Sequence, residues 1–205
     1  MGGSEDPPKQ LMSVIAIALG YLFGSIPFAW LLTRSRGIDL RDVGSRNVGA
    51  ANVLRSAGVA PAAAVMLLDA AKGAIAVVVA RQITDNLVVV TAAGLAAIGG
   101  HIYPAWLGFR GGKGVATAAG VFAMLAPVAT GIAALVFIGT TFVTRFISAG
   151  SMAGAVALMV ACAAGNVAAP VTAGAFLAGA IVVHRHRDNL SRLIAGTERR
   201  IGLRL

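Results

Sequence analysis

The sequence predicts an all-α, polytopic membrane helix bundle, and three observations predict it. Of the 205 residues, 58% are hydrophobic and only 12% are charged, where a soluble domain carries roughly 25% charged residues. Apolar runs recur at the length a bilayer demands, about 20 residues for a straight helix. The net charge of +9 is collected into three segments between or after those runs, the pattern that sets membrane orientation. Mean hydropathy is +0.83. The 26 glycines suit helices that approach one another closely, and Gly20/Gly24 and Gly150/Gly154 have the small-xxx-small spacing.

The elements follow in order. Residues 1–10 read as a disordered tail, with Glu5, Asp6 and Pro7-Pro8 and no basic region of a signal peptide. Residues 11–205 read as one transmembrane domain. Leu11–Leu32 is the first span, with Pro27 as a kink. Val59–Ala80 is the second, interrupted by Asp69 and Lys72. Leu87–Leu107 is the third, with His101 and Pro104 near its end. Val115–Val143 is apolar for 29 residues and Ile147–Val183 for 37. The second of these runs holds two segments with a break between Gly165-Asn166 and Pro170. The first is one long helix or two short ones turning near Pro127. Cys162 has no intrachain partner and reads as a packing residue.

Charge decides between the counts. Thr33–Gly58 carries Arg34, Arg36, Arg41, Arg46 and Arg55. Gly108–Gly114 carries Arg110 and Lys113. The tail from His184 carries Arg185, Arg187, Arg192, Arg199, Arg200 and Arg204. The positive-inside rule asks for all three on the cytoplasmic side. Splitting both long runs achieves this: seven transmembrane segments, N-terminus outside and C-terminus inside, with five as the alternative.

On that topology the polar clusters share one face. The first runs from Asp39 to Arg55, where Ser45, Asn47 and Asn52 offer hydrogen bonds and Arg55 a bidentate fork. A plain solvated loop explains its charge but not its asparagines and glycines. The second is Phe109-Arg110-Gly111-Gly112-Lys113-Gly114-Val115-Ala116-Thr117, a cationic glycine-rich turn preceded by His101. Glycines let backbone N–H groups converge on an anion. It is not a Walker loop: Gly114 follows the lysine, and Leu107 stands where the first glycine belongs. A basic turn anchored on headgroups is the plainer reading. Ser148 and Ser151 form the third, where serines satisfied by helix carbonyls are the plainer reading. His184 to Leu193, with His186 and Asn189 three apart, forms the fourth; its arginines also suit an amphipathic tail on anionic lipid. Asp69 and Lys72, one helical turn apart, are either a structural ion pair or a pair in which Asp69 orients Lys72 toward the polar site.

Together and in this order, these clusters resemble the bacterial acyl-phosphate:glycerol-3-phosphate acyltransferases, the PlsY family. The resemblance runs from Gly24-Ser25-Ile26-Pro27 to Glu198. Its specific parts are Gly111–Thr117 and the Gly-Ser-x-Asn-x-Gly-Ala-x-Asn string at Gly44–Asn52. Ala51 departs from the family's usual Thr, and Arg46 stands at a variable position that is often Gly. The resemblance implies transfer of a fatty acyl group from acyl phosphate to the 1-hydroxyl of glycerol 3-phosphate, in the bacterial plasma (inner) membrane with the site facing the cytoplasm. The products are lysophosphatidic acid and phosphate. Membrane lipid and an enzyme that makes acyl phosphate are the implied partners. No nucleic acid, cofactor or metal is expected. The His-x-x-x-x-Asp signature of soluble acyltransferases is absent.

The roles expected under that resemblance are these. Arg55, Ser45, Asn47 and Asn52 line one side of a phosphate site. The Gly111, Gly112 and Gly114 backbone and Lys113 hold phosphate and stabilise the leaving group. His186 and Asn189 position glycerol 3-phosphate, Ser151 donates a hydrogen bond, and Lys72 and His101 face the site. The base is His186 or a substrate phosphate; Ser45 as a nucleophile is a minor alternative. A transporter of a phosphorylated solute is the competing function. It calls for inverted repeats, and none is visible in the sequence.

Overall fold

The computed structural model describes residues 8–202, and their regular structure is helical. The order is α1 (Lys9–Ser25), α2 (Phe28–Arg34), α3 (Ala50–Ala57), α4 (Val59–Ile83), α5 (Leu87–Ile102), a 3-10 turn (Ala105–Leu107), α6 (Val115–Leu125), α7 (Pro127–Thr144), α8 (Ile147–Ala164), α9 (Ala169–Arg185) and α10 (Arg187–Ile194). Residues 1–7 of the expected tail lie outside the described residues. Lys9 and Gln10, assigned to that tail, instead open α1.

Proline and glycine set the breaks. Ile26 is extended and Pro27 follows it, so the first apolar run divides into α1 and α2. Pro127 starts α7 after an extended Ala126, using the fixed φ that suits proline at a first helical position. The 37-residue run divides at Gly165–Ala168. Five helical stretches are long and apolar enough to cross a membrane: Lys9–Arg34, Val59–Ile83, Leu87–Leu107, Pro127–Thr144 and Ile147–Ala164. Val115–Leu125 and Ala169–Arg185 are shorter apolar helices. At 1.5 Å per residue, α6 is only about 16 Å long.

Close approach replaces bulky packing. A Cβ at Gly20 or Gly24 of α1 would run into the carbonyls of Ala93 and Ala97 on α5. Gly73 of α4 and Gly120 of α6 lie against the backbone at Thr117 and Ala70 in the same way. Backbones this close gain dispersion contacts where no aqueous hydrophobic effect drives association. One apolar cluster, with Ile98, Val121, Phe122 and Val77 at its centre, fills the space among α4, α5, α6 and α9. A second, built on Leu40, Val48, Val53, Val65 and Leu107, pins the α2–α3 loop to the start of α4. That loop is therefore a packed element. On α7, Val128, Leu135, Phe142 and Val143 are exposed, the apolar coat a lipid-facing helix presents.

Candidate functional site

Three segments distant in sequence are held together: the loop and helix from Leu40 to Ala57, the glycine-rich turn, and the chain from Arg185 to Glu198. The loop doubles back through Gly44 (φ +60°) and Arg46 (φ +57°). Asn52, 1% exposed, clamps it. Its Oδ1 accepts from the Ser45 N–H at 2.9 Å, and its Nδ2 donates to the carbonyls of Leu40 and Val43 at 3.2 and 3.1 Å. The expectation that Asn52 contacts phosphate is corrected: its amide is spent on shaping the loop. Ser45 is exposed and Asn47 half-buried. Ser45 has no side-chain base hydrogen-bonded to its hydroxyl among the described residues. Arg55 projects from α3 within electrostatic range of Arg199, Glu198 and Arg192; burial and those neighbouring cations lower its pKa.

The glycine turn abuts this loop, with Gly112 against the Val48 carbonyl. Its amides are not used as expected. The Gly111 N–H donates to the Ile102 carbonyl at 3.0 Å, and the Gly112 N–H to the His101 carbonyl at 3.2 Å. Both are committed to closing the turn onto the end of α5. Uncommitted amides are found one step on. The N–H groups of Lys113 and Gly114 have no acceptor among the described residues, and Gly114 (φ +85°) leads into the N-terminus of α6, where the helix dipole favours an anion.

Lys113 joins the third segment. Its Nζ donates to Oδ1 of Asn189. The Asn189 Nδ2 donates to Glu198 Oε1 at 2.6 Å, Ser148 Oγ donates to the same oxygen at 2.8 Å, and Arg192 Nε donates to Oε2 at 2.7 Å. Burial raises the Glu198 pKa, but these three donors more than offset it and hold the carboxyl below its usual range. The Ile201 N–H donates to the Arg145 carbonyl at 2.8 Å, which ties the tail to the α7–α8 turn.

Burial first, with Arg192 nearby, pushes the Lys113 ammonium down to about 8. Burial and then the Lys113 charge push His186 down to about 4, so its imidazole is neutral at physiological pH. The His186 Nδ1 lies 2.8 Å from the Val182 carbonyl. A carbonyl only accepts, so Nδ1 carries the proton and Nε2 holds a lone pair. Arg185 adds a further cation, with its Nη2 3.4 Å from the Gly112 carbonyl it donates to. The assembly is a basin of Arg55, Lys113, Arg185, Arg192 and Arg199 around the Glu198 carboxylate and one uncharged imidazole, with Asp188 also in electrostatic range of Lys113. Its excess of cations favours an anion electrostatically.

One further expectation is corrected. Ser151 is buried and its Oγ donates to the Ile147 carbonyl at 2.8 Å, the satisfied-helix role; Ser148 is the serine that reaches the polar network. Lys72 and His101 are buried around Asp69 and line a small cleft with Gly111 and Gly112. Lys72 Nζ is 2.8 Å from Asp69 Oδ1 and donates to the Ile26 carbonyl at 2.8 Å; His101 Nδ1 is 3.5 Å from the same carboxylate oxygen. Sequence reasoning missed Glu198 as the organiser. The signal available was a single acid between Thr197 and Arg199-Arg200, an odd choice for a basic surface tail. Among the described residues, no group of three or more His, Cys, Asp or Glu is placed to hold a metal ion.

The glycerol-3-phosphate acyltransferase family model matches residues 14–196. A glycerol-3-phosphate acyltransferase of Myxococcus xanthus (strain DK1622) is 50% identical over 192 residues, covering 92% of this chain and 100% of the relative. One of Synechococcus sp. (strain CC9902) is 46% identical over 195 residues, covering 94% and 96%. Two crystal structures of PlsY, an integral membrane glycerol 3-phosphate acyltransferase, are similar in fold. Its glycerol 3-phosphate form gives a TM-score of 0.89 at 37% identity, covering 93% of this chain and 96% of that one. Its lysophosphatidic acid form gives 0.87 at 35%, covering 93% and 95%.

Proposed function

The chain belongs to the glycerol-3-phosphate acyltransferase family, and from that membership we propose that it transfers a fatty acyl group from acyl phosphate to the 1-hydroxyl of glycerol 3-phosphate. The products are lysophosphatidic acid and inorganic phosphate, early in phospholipid synthesis. The observation that carries the reading is Lys113 bonded to Asn189, which in turn bonds Glu198, inside a basin of arginines. Both substrates bring phosphate to it.

The donor is a mixed anhydride. The 1-hydroxyl oxygen attacks the acyl carbonyl carbon, the bond from that carbon to the phosphate-bridging oxygen breaks, and phosphate leaves. Lys113 and the amides at the start of α6 stabilise charge growing on that phosphate. The arginines, with Asn47 and Ser45 at the rim, hold the phosphates. His186 Nε2 accepts from the glycerol hydroxyl and orients it. The proton goes to a substrate phosphate, whose second pKa is about 6 by analogy with phosphoserine; a neutral His186 with a low pKa is a weak base. No enzyme acyl intermediate is required. The test is phosphate release from acyl phosphate by purified protein, which on this reading occurs only with glycerol 3-phosphate present. Release without the acceptor refutes it. An enzyme that makes acyl phosphate is the implied supplier.

The free enzyme's kcat/KM falls as pH rises through about 8, because the active form of Lys113 is the ammonium, lost above its pKa of about 8. Lys113→Arg is slower, since a planar fork does not replace a compact ammonium, but it loses this alkaline limb. A limb unchanged in Lys113→Arg assigns it to another group.

The same reading places seven transmembrane segments with the N-terminus outside, the C-terminus inside and the basin facing the cytoplasm. It counts the short α6 and α9 as spans in a locally thinned or tilted setting. In a Cys162→Ala background, single cysteines at Arg41, Arg81 and Arg199 report this. An impermeant thiol reagent on intact cells labels the Arg81 position alone. Labelling at Arg199 from outside refutes the topology.

A further inference from the structure

The Asp69–Lys72–His101 cluster makes no hydrogen bond or ion pair with Lys113 or the arginines of the basin among the described residues, yet it adjoins the glycine turn at Gly111 and Gly112. Lys72 binds the Ile26 carbonyl at the α1–α2 break. His101 ends α5, and its own carbonyl accepts the Gly112 N–H. A Cβ at Gly112 would collide with His101 Nε2, so the imidazole edge lies flat against that glycine. The three side chains share a small cleft with Ile26, Gly111 and Gly112. Asp69 Oδ1 faces His101 Nδ1 at 3.5 Å; a carboxylate only accepts, so the nitrogen on that side carries the proton. Lys72 in turn fixes Asp69 and offsets its charge, with both side chains 3% exposed.

We propose that Asp69, Lys72 and His101 are positioning residues: the buried carboxylate orients the His101 ring, the ring seats Gly112, and the seated turn sets Lys113 against Asn189. Asp69 acts through the acceptor oxygen it turns toward the ring, 3.5 Å from Nδ1, and its charge matches Lys72. This assigns an indirect role to two residues expected to touch substrate. Only the kinetic part of the test rests on the acyl-transfer reading.

Two charge-neutral double variants separate the contributions, since replacing both members of a buried ion pair leaves no unpaired charge. Asp69→Leu/Lys72→Met removes the acceptor for His101. Asp69→Asn/Lys72→Met keeps an oxygen there. Expected for the Leu/Met pair is a fall in kcat of about 10–10²-fold, the scale of a displaced catalytic group, with KM for glycerol 3-phosphate within about threefold, because the arginines that bind it do not move. Expected for the Asn/Met pair is recovery of most of that kcat. Trypsin gives an activity-free readout: cleavage after Arg110, resisted while Gly111 and Gly112 are bonded to α5, appears in the Leu/Met pair and not in the Asn/Met pair. Equal kcat and equal cleavage in the two pairs overturns the proposal. Should either pair fail to insert, His101→Leu, which leaves the ion pair intact, decides. A loss of kcat with new cleavage after Arg110 at an unchanged thermal midpoint supports it, and wild-type values for both overturn it. Absence of acyl transfer by the wild-type protein refutes the function, whereas the trypsin pattern still tests the seating of the turn.

Discussion

Replacing Lys113 with alanine lowers turnover by about 10²–10³-fold, the effect of removing one preorganised electrostatic contact to charge that develops in a transition state. The side chain contributes little apolar packing, so the protein stays folded and inserted. Phosphate release is measured with acyl phosphate and glycerol 3-phosphate each varied in turn. Loss of kcat at saturation assigns Lys113 to the leaving phosphate. A rise in KM at constant kcat assigns it to ground-state binding instead. Near-normal values for both return the turn to a headgroup anchor. Arg36→Ala, an exposed arginine on the α2–α3 connection with no partner in the basin, serves as the control and stays close to wild type.

Glu198→Ala carries the second large effect, and it acts on two quantities at once. It strands Asn189 Nδ2, Ser148 Oγ and Arg192 Nε, of which the first two are buried. A buried donor left without its acceptor costs about 1–3 kcal/mol, so for two the loss in stability is on the order of 2–6 kcal/mol. Asn189 then no longer holds its orientation beneath Lys113, and kcat falls by about 10²-fold, as expected for a catalytic group out of place. Glu198→Gln keeps one carbonyl oxygen and is milder in both respects. The pH dependence has a definite sign. The folded-state pKa of Glu198 is depressed, so its stabilisation is full above the ordinary glutamate pKa near 4.3 and is lost as pH falls through the lowered value. Thermal unfolding in detergent across pH 3–7, wild type against Glu198→Gln, isolates that contribution. Equal pH slopes in the two proteins refute it.

Much of the fold was legible because its punctuation is local. Pro27, Pro127 and the Gly165–Pro170 stretch break helices through the φ restriction of proline and the turn preference of Gly and Asn, and the helices break there. Extents were less legible: Lys9 and Gln10 continue α1 because nothing in those two residues stops a helix. The site was legible as a set of clusters but not as a division of labour. Nothing near Gly111 and Gly112 reveals that their amides are taken, because the acceptors are the carbonyls at the end of α5. Asn52 and Ser151 have the right chemistry for phosphate, and only packing shows that loop closure and a helix carbonyl claim them. Lys113 and Asn189 are 76 residues apart, and no spacing rule reaches that far.

If the donor is acyl phosphate, as proposed, the brevity of α6 has a consequence for how it is met. A helix about 16 Å long that begins at the glycine turn leaves that turn sunk below the headgroup plane wherever the helix's far end is level with its neighbours. An amphiphile with a phosphate head then reaches Lys113 by sliding sideways within its leaflet, and only the small acceptor arrives from water. The relevant concentration of donor becomes a surface density. Diluting acyl phosphate with inert lipid at fixed bulk amount slows the reaction, and diluting the whole suspension with buffer, at saturating glycerol 3-phosphate, does not.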